Sequence, residues 1–180
     1  MSQSINHIID AKWVNALNKT SGYDKNVDYF VNERSSDEEE QFIDGVINQV
    51  DELTGLTFNK VDSPFKSDIN IFPRDDEFFA SRNLPDNLMG RASYYANRKV
   101  NGNEFPIAVL YRSNEPELSE VEKHVIVHEI GHSLGLNHPE GNGRNPNYNS
   151  NSSIMSYNFD GTYDGFTDLD ISALQAIWGL

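Results

Sequence analysis

His128-Glu129-Ile130-Gly131-His132-Ser133-Leu134-Gly135-Leu136-Asn137-His138 carries more structural information than any other part of this chain. His128 and His132 stand four residues apart in a segment with helical patterning. They therefore project from one face about one turn apart, and both imidazoles can reach one zinc ion. Glu129 follows the first ligand, so it can approach a metal-bound water without binding the metal. A continuing helix would carry His138 off the ligand face. Gly135 resolves this, because glycine tolerates a left-handed conformation that ends a helix abruptly. The chain can then return His138 to the metal, and Pro139 prevents the helix from resuming. Three histidines and one open position make a catalytic zinc site, not a structural one.

The flanking sequence supplies a scaffold. Ser119 is a good N-cap with Glu122 three residues on, and Val121, Val125, Ile126 and Ile130 give the helix an apolar face. Pro139 to Asp164 is rich in Asn, Gly, Ser and Pro and reads as a long loop, the kind that is usually functional. A last helix is expected near Thr167, with Asp170 as capping partner and Leu169, Ala173, Leu174, Ile177 and Trp178 facing the core. Upstream, Ser36 and Glu39 form another capping box, and Asp37 to Glu39 suit the positive end of the helix dipole. Phe42, Ile43, Val46, Ile47, Val50 and Leu53 recur at helical spacing, and Gly55 is the expected stop. Strands are expected at Leu56–Val61, Asp68–Phe72, Arg91–Ala96 and Pro106–Tyr111. The stretch before Arg34 is polar and poorly periodic. This order predicts an α+β fold in one domain spanning residues 1–180: a twisted mixed sheet with helices packed on it.

The long zinc motif resembles that of the metzincin metallopeptidases, a zincin-type fold in which a methionine turn follows the third histidine. Ser153-Ile154-Met155-Ser156-Tyr157 is similar to that turn. His138-Pro139, this turn and the ending Asp170-Ile171-Ser172-Ala173-Leu174-Gln175-Ala176-Ile177-Trp178-Gly179 look most like serralysins, with matrix metalloproteinases the other near group. The resemblance covers about the last third of the chain; the earlier elements agree only in order. It implies a secreted zinc endopeptidase with one catalytic ion. Met155 would form a hydrophobic floor beneath the metal, and Tyr157 would approach the zinc. An extended polypeptide substrate would lie along Arg91–Ala96 as the edge strand, and a proteinaceous inhibitor is an admissible partner. Serralysins continue into a calcium-binding repeat domain where this sequence ends at Leu180. Matrix metalloproteinases carry paired aspartates where this chain has Leu169-Asp170, so their N-terminal anchor is not expected.

The chain has 180 residues, a net charge of −14 and no cysteine. Disulfides, thiolate ligands and cysteine catalysis are excluded. The acidic balance argues against nucleic acid or an anionic membrane as partner. Met1–Ile9 lacks the pattern of a signal peptide, and a monomer is expected. His124 shares a face with His128 but reads as a packed histidine, and His7 as a surface one. Asp160-Gly161-Thr162-Tyr163-Asp164-Gly165 admits calcium but does not match an EF-hand. Asp75-Asp76-Glu77 reads as a solvated turn, and Tyr94 and Tyr95 should face opposite sides of a strand. Hydrolysis of a non-protein amide and non-catalytic zinc binding are the competing readings. Glu129 argues against the second, since a structural site needs no base.

Overall fold

The computed structural model describes residues 5–95, 99–100, 103–104, 106–114 and 117–180. Five strands form one sheet: β1 (Asn26–Val31), β2 (Thr57–Lys60), β3 (Ile69–Arg74), β4 (Gly90–Ser93) and β7 (Ile107–Arg112). Their order is β2-β1-β3-β7-β4. All neighbours are parallel except β4, which runs antiparallel to β7 along the edge. A short antiparallel ribbon, β5 (Lys99–Val100) and β6 (Asn103–Glu104), stands apart. The mixed sheet is therefore as expected.

Burial alternates along the strands, as a sheet with one packed face requires. Val27, Tyr29, Val31, Ile69, Ile71, Ile107, Val109 and Tyr111 are buried. They share one core with Ile43, Val46, Ile47 and Val50 of α2 (Asp37–Leu53) and with Ile126, Val127 and Ile130 of α4 (Glu120–Ser133). Both helices begin with the capping boxes read from sequence, as does α5 (Asp168–Trp178).

Several expectations need correction. The stretch before Arg34 is not featureless: it holds a 3-10 turn at Ile5–Ile8, helix α1 (Ala11–Thr20) and strand β1. Asp10 caps α1 by accepting from Lys12 N at 2.8 Å. Asp75 likewise caps a short helix, α3 (Asp76–Ser81), and Asp76 pairs with Arg112, so this acidic run is not a plain solvated turn. Gly55 does not end α2 by a left-handed turn. α2 stops at Leu53, and Gly55 lets the chain pass the last helix, where an added Cβ would stand 2.7 Å from Trp178 O. The edge strand is Gly90–Ser93 instead of Arg91–Ala96; Ala96 lies outside the described residues. Tyr94 and Tyr95 follow that strand, the first partly buried and the second exposed. Met1–Ser4 likewise lie outside the described residues. Val121 does not face the core: it is 42% exposed.

Candidate metal centre and active site

α4 is buried on nearly every side from Ile126 to Gly131, which fixes the side chains it carries. It presents His128 and His132, then stops at Leu134. Gly135 adopts φ +106°, the conformation the sequence demanded. The reversed chain brings His138 back, and Pro139 opens a 3-10 turn beyond it. Nε2 of His138 then lies 3.2 Å from Nε2 of His128 and 3.2 Å from Nε2 of His132. Among the described residues, these three are the one group of His, Cys, Asp or Glu gathered closely enough to hold a metal.

The donor set fits zinc. His128 Nδ1 donates to Ile154 O at 2.9 Å, and His132 Nδ1 donates to Leu136 O at 2.9 Å. A carbonyl can only accept, so each ring carries its proton on Nδ1 and turns a bare lone pair inward on Nε2. Lone pairs 3.2 Å apart repel unless a cation lies between them. Donors about 2.0–2.1 Å from a tetrahedral ion stand roughly 3.3–3.4 Å from each other. Burial also holds the rings neutral: it pushes His132 down to about 4, aided by the neighbouring His138, and lowers His128 and His138. Neutral imidazole is the ligating form.

Met155 is fully buried against α4. A Cβ on Gly131, between His128 and His132 on the helix, would sit 2.7 Å from Met155 Sδ. The methionine sulfur thus packs against α4 at Gly131, whose missing side chain admits it. Asp170 does more than cap the last helix. Asp170 is completely buried and accepts from Ser153 Oγ at 2.6 Å, Ile154 N at 2.8 Å and Thr167 N at 2.9 Å. It ties the last helix to the methionine turn, and Ile154 O ties that turn to His128. Nothing local in the sequence signals this link.

Glu129 is 8% exposed, and its Oε2 accepts from Ala92 N at 2.6 Å. Met89 O receives Arg112 N, so strand alternation turns the backbone groups of Gly90 and Ala92 away from β7, toward the open edge. α4 passes so close beneath β4 that a Cβ on Gly90 would meet Val125 Cγ1 at 2.5 Å. Burial pushes the Glu129 carboxyl up to about 8, against the Ala92 N–H and the Arg91 charge. A dication at the imidazoles acts in the opposite direction.

The Tyr157 ring stacks on His128 (5.2 Å, 28°) and meets His138 edge-on at 4.6 Å. Its amide donates to Gly143 O at 2.7 Å, and a Cβ on Gly143 would fall 2.6 Å from its Cδ2. Burial raises the phenol's pKa, with Glu129 adding to the effect. A cavity of about 320 Å³ opens beside His128 and Glu129, lined by Leu88, Met89, Val121, Val125 and Phe159. His124 is buried on the same helix outside the triad, with Nε2 donating to Ser156 O at 3.2 Å. His7 is half-buried, its ring 5.6 Å from Tyr148. In the acidic loop, Asp160 accepts from Ser150, Asn151 and Thr162.

A mixed sheet, a buried helix bearing two imidazoles and a turn returning the third define the metzincin class of zinc metallopeptidase. Residues 21–179 match the family model for matrixin, and the chain belongs to that family. It is accordingly a zinc-dependent metalloendopeptidase with peptide substrates. No curated protein matches the chain. Among the described residues no helix is long and apolar enough to cross a membrane.

Proposed function

We propose that residues 1–180 act as one catalytic unit that cleaves internal bonds of extended polypeptides, with His128, His132 and His138 as zinc ligands and Glu129 as general base. The observation that carries this is the convergence of three Nε2 lone pairs, two of them fixed by Nδ1–H bonds. Zinc held there supplies a Lewis acid that polarises the scissile carbonyl and acidifies a water. Glu129 accepts the proton as water oxygen bonds to the carbonyl carbon. It returns a proton to the nitrogen as the C–N bond breaks. Tyr157 donates its hydroxyl proton in a hydrogen bond to the developing oxyanion, while Met155 holds the ligand helix from below.

The substrate pairs its backbone with the outward groups of Gly90 and Ala92, and the adjoining cavity takes an apolar side chain next to the cleaved bond. The serralysin likeness of the turn, Tyr157 included, and of the last helix favours that side of the family and a secreted, monomeric enzyme. Purified protein should bind one zinc per chain and digest casein, and a chelator should abolish the digestion. Cleavage of a peptide library should favour bonds flanked by a large apolar residue. Casein digestion that persists unchanged in zinc-free protein would overturn the proposal.

Tyr157→Phe removes one hydroxyl and leaves the ring stack on His128. It should keep zinc and lower turnover by about 10²-fold, the scale of one oxyanion donor. Gly143→Ala should reproduce part of that loss, because the added methyl displaces the Tyr157 ring it would otherwise touch at 2.6 Å. Turnover numbers for both variants check this. Unchanged kcat in Tyr157→Phe would leave the tyrosine a packing role only.

A further inference from the structure

Residues Ile5–Thr20 precede the segment that matches the matrixin family, yet they pack directly on the metal-ligand turn. Asp10 N donates to Gly135 O at 2.9 Å, and Asn137 N donates to Ile8 O at 2.8 Å. Ile9 and Leu136 thereby form an antiparallel bridge. Leu136 is also the residue whose carbonyl accepts His132 Nδ1. The N-terminal segment therefore holds the peptide that orients a ligand.

Trp13 adds a second restraint. Its ring lies nearly parallel to the His132 ring, 21° apart with centroids at 5.9 Å, within the range of an offset stack. The indole is itself steadied by Tyr94, which meets it edge-on at 4.7 Å just past the edge strand. α1 is anchored beneath by fully buried Leu17, and the bridge by fully buried Ile8. A ligand imidazole needs two constraints. The Nδ1–H bond fixes its rotation within the ring plane, but the ring can still tilt about that bond and carry Nε2 off the metal. A flat surface against the ring face opposes the tilt.

We propose that Trp13 is a positioning residue for His132, and that Ile5–Thr20 clasps the turn between the second and third ligands. The proposal rests on the three-imidazole zinc reading above. Outer-shell partners of metal ligands are typically worth about 10–100-fold in metal affinity, and a loss on this scale is expected when the flat face is removed.

Trp13→Leu fills much of the space and favours helix but offers no planar surface, whereas Trp13→Phe keeps one. Both are compared with wild type by zinc affinity in chelator competition, by the visible spectrum of the cobalt-loaded protein, and by melting of the zinc-free protein. The expected result is a loss of about 10-fold or more in zinc affinity and a shifted cobalt spectrum for Trp13→Leu. Trp13→Phe should match wild type in both, and the zinc-free melting of the two variants should be alike. Wild-type affinity and spectrum in Trp13→Leu would overturn the proposal. So would an affinity loss that follows zinc-free melting in both variants. A wild-type chain that takes up no zinc would instead overturn the metal centre itself, which separates the two failures.

Discussion

Glu129→Ala, loaded with zinc, should hydrolyse peptides about 10²–10⁴-fold more slowly than wild type while keeping one zinc per chain. The residue sits next to His128 but is rotated about 100° around α4 from it. Its removal therefore leaves all three imidazoles and their Nδ1–H bonds in place. Folding should not suffer, because alanine favours helix and a desolvated carboxylate is gone. One local contact does change: Ala92 N loses its acceptor. That group lies on the open edge of β4, where an extended peptide can replace the carboxylate. Substrate affinity should accordingly hold or improve, and the loss should fall on kcat. Glu129→Gln sharpens the test, since its amide oxygen can still accept from Ala92 while the base is absent. Both variants should be equally slow. If either hydrolyses casein at the wild-type rate with zinc bound, Glu129 is not the base and the mechanism fails.

What the sequence discloses follows from how local each signal is. The three capping boxes, Ser36/Glu39, Ser119/Glu122 and Thr167/Asp170, are legible because both partners lie within four residues, and all three are present. The three converging histidines, Glu129 and the Gly135 turn are legible for the same reason, since one helix and one reversal hold them. Helix α1 is not. Its cap is a lone Asp10 with Trp13 at the third helical position, so no capping box announces it. β1 does carry the alternation Val27, Tyr29, Val31, but Phe30 breaks the polar half of the pattern. Val121 shows a different limit. It stands at the right spacing for the core face, yet α4 turns that position toward the cavity beside Glu129, and periodicity alone does not say what a helix face meets. The least legible features join distant residues. Asp170 with Ser153, Ala92 with Glu129, Gly143 with Tyr157 and Trp13 with His132 each depend on the completed fold.

Replacing Gly135 by Val should abolish measurable zinc binding and destabilise the protein by about 3 kcal/mol or more. Two independent costs meet at this position. The backbone stands at φ +106°, where a β-branched residue is strongly disfavoured. Space is also lacking: a Cβ would come within 2.7 Å of Val14 Cγ2 and 3.2 Å of Ile177 Cδ1. The first neighbour belongs to α1 and the second to α5, so the clash cannot be relieved on one side without pressing on the other. If the turn instead relaxes to negative φ, its Gly135 O bond to Asp10 and the placement of Leu136 O against His132 are both lost. His138 then no longer returns to the other two imidazoles. Gly135→Ala is the milder step, because it keeps the backbone strain and both Cβ contacts but adds no branched methyls. It should bind zinc weakly and melt between wild type and Gly135→Val. Melting of the zinc-free proteins and zinc affinity by chelator competition measure both effects. A Gly135→Val chain that melts and binds zinc like wild type would mean that α4 does not need a left-handed residue to end and return His138.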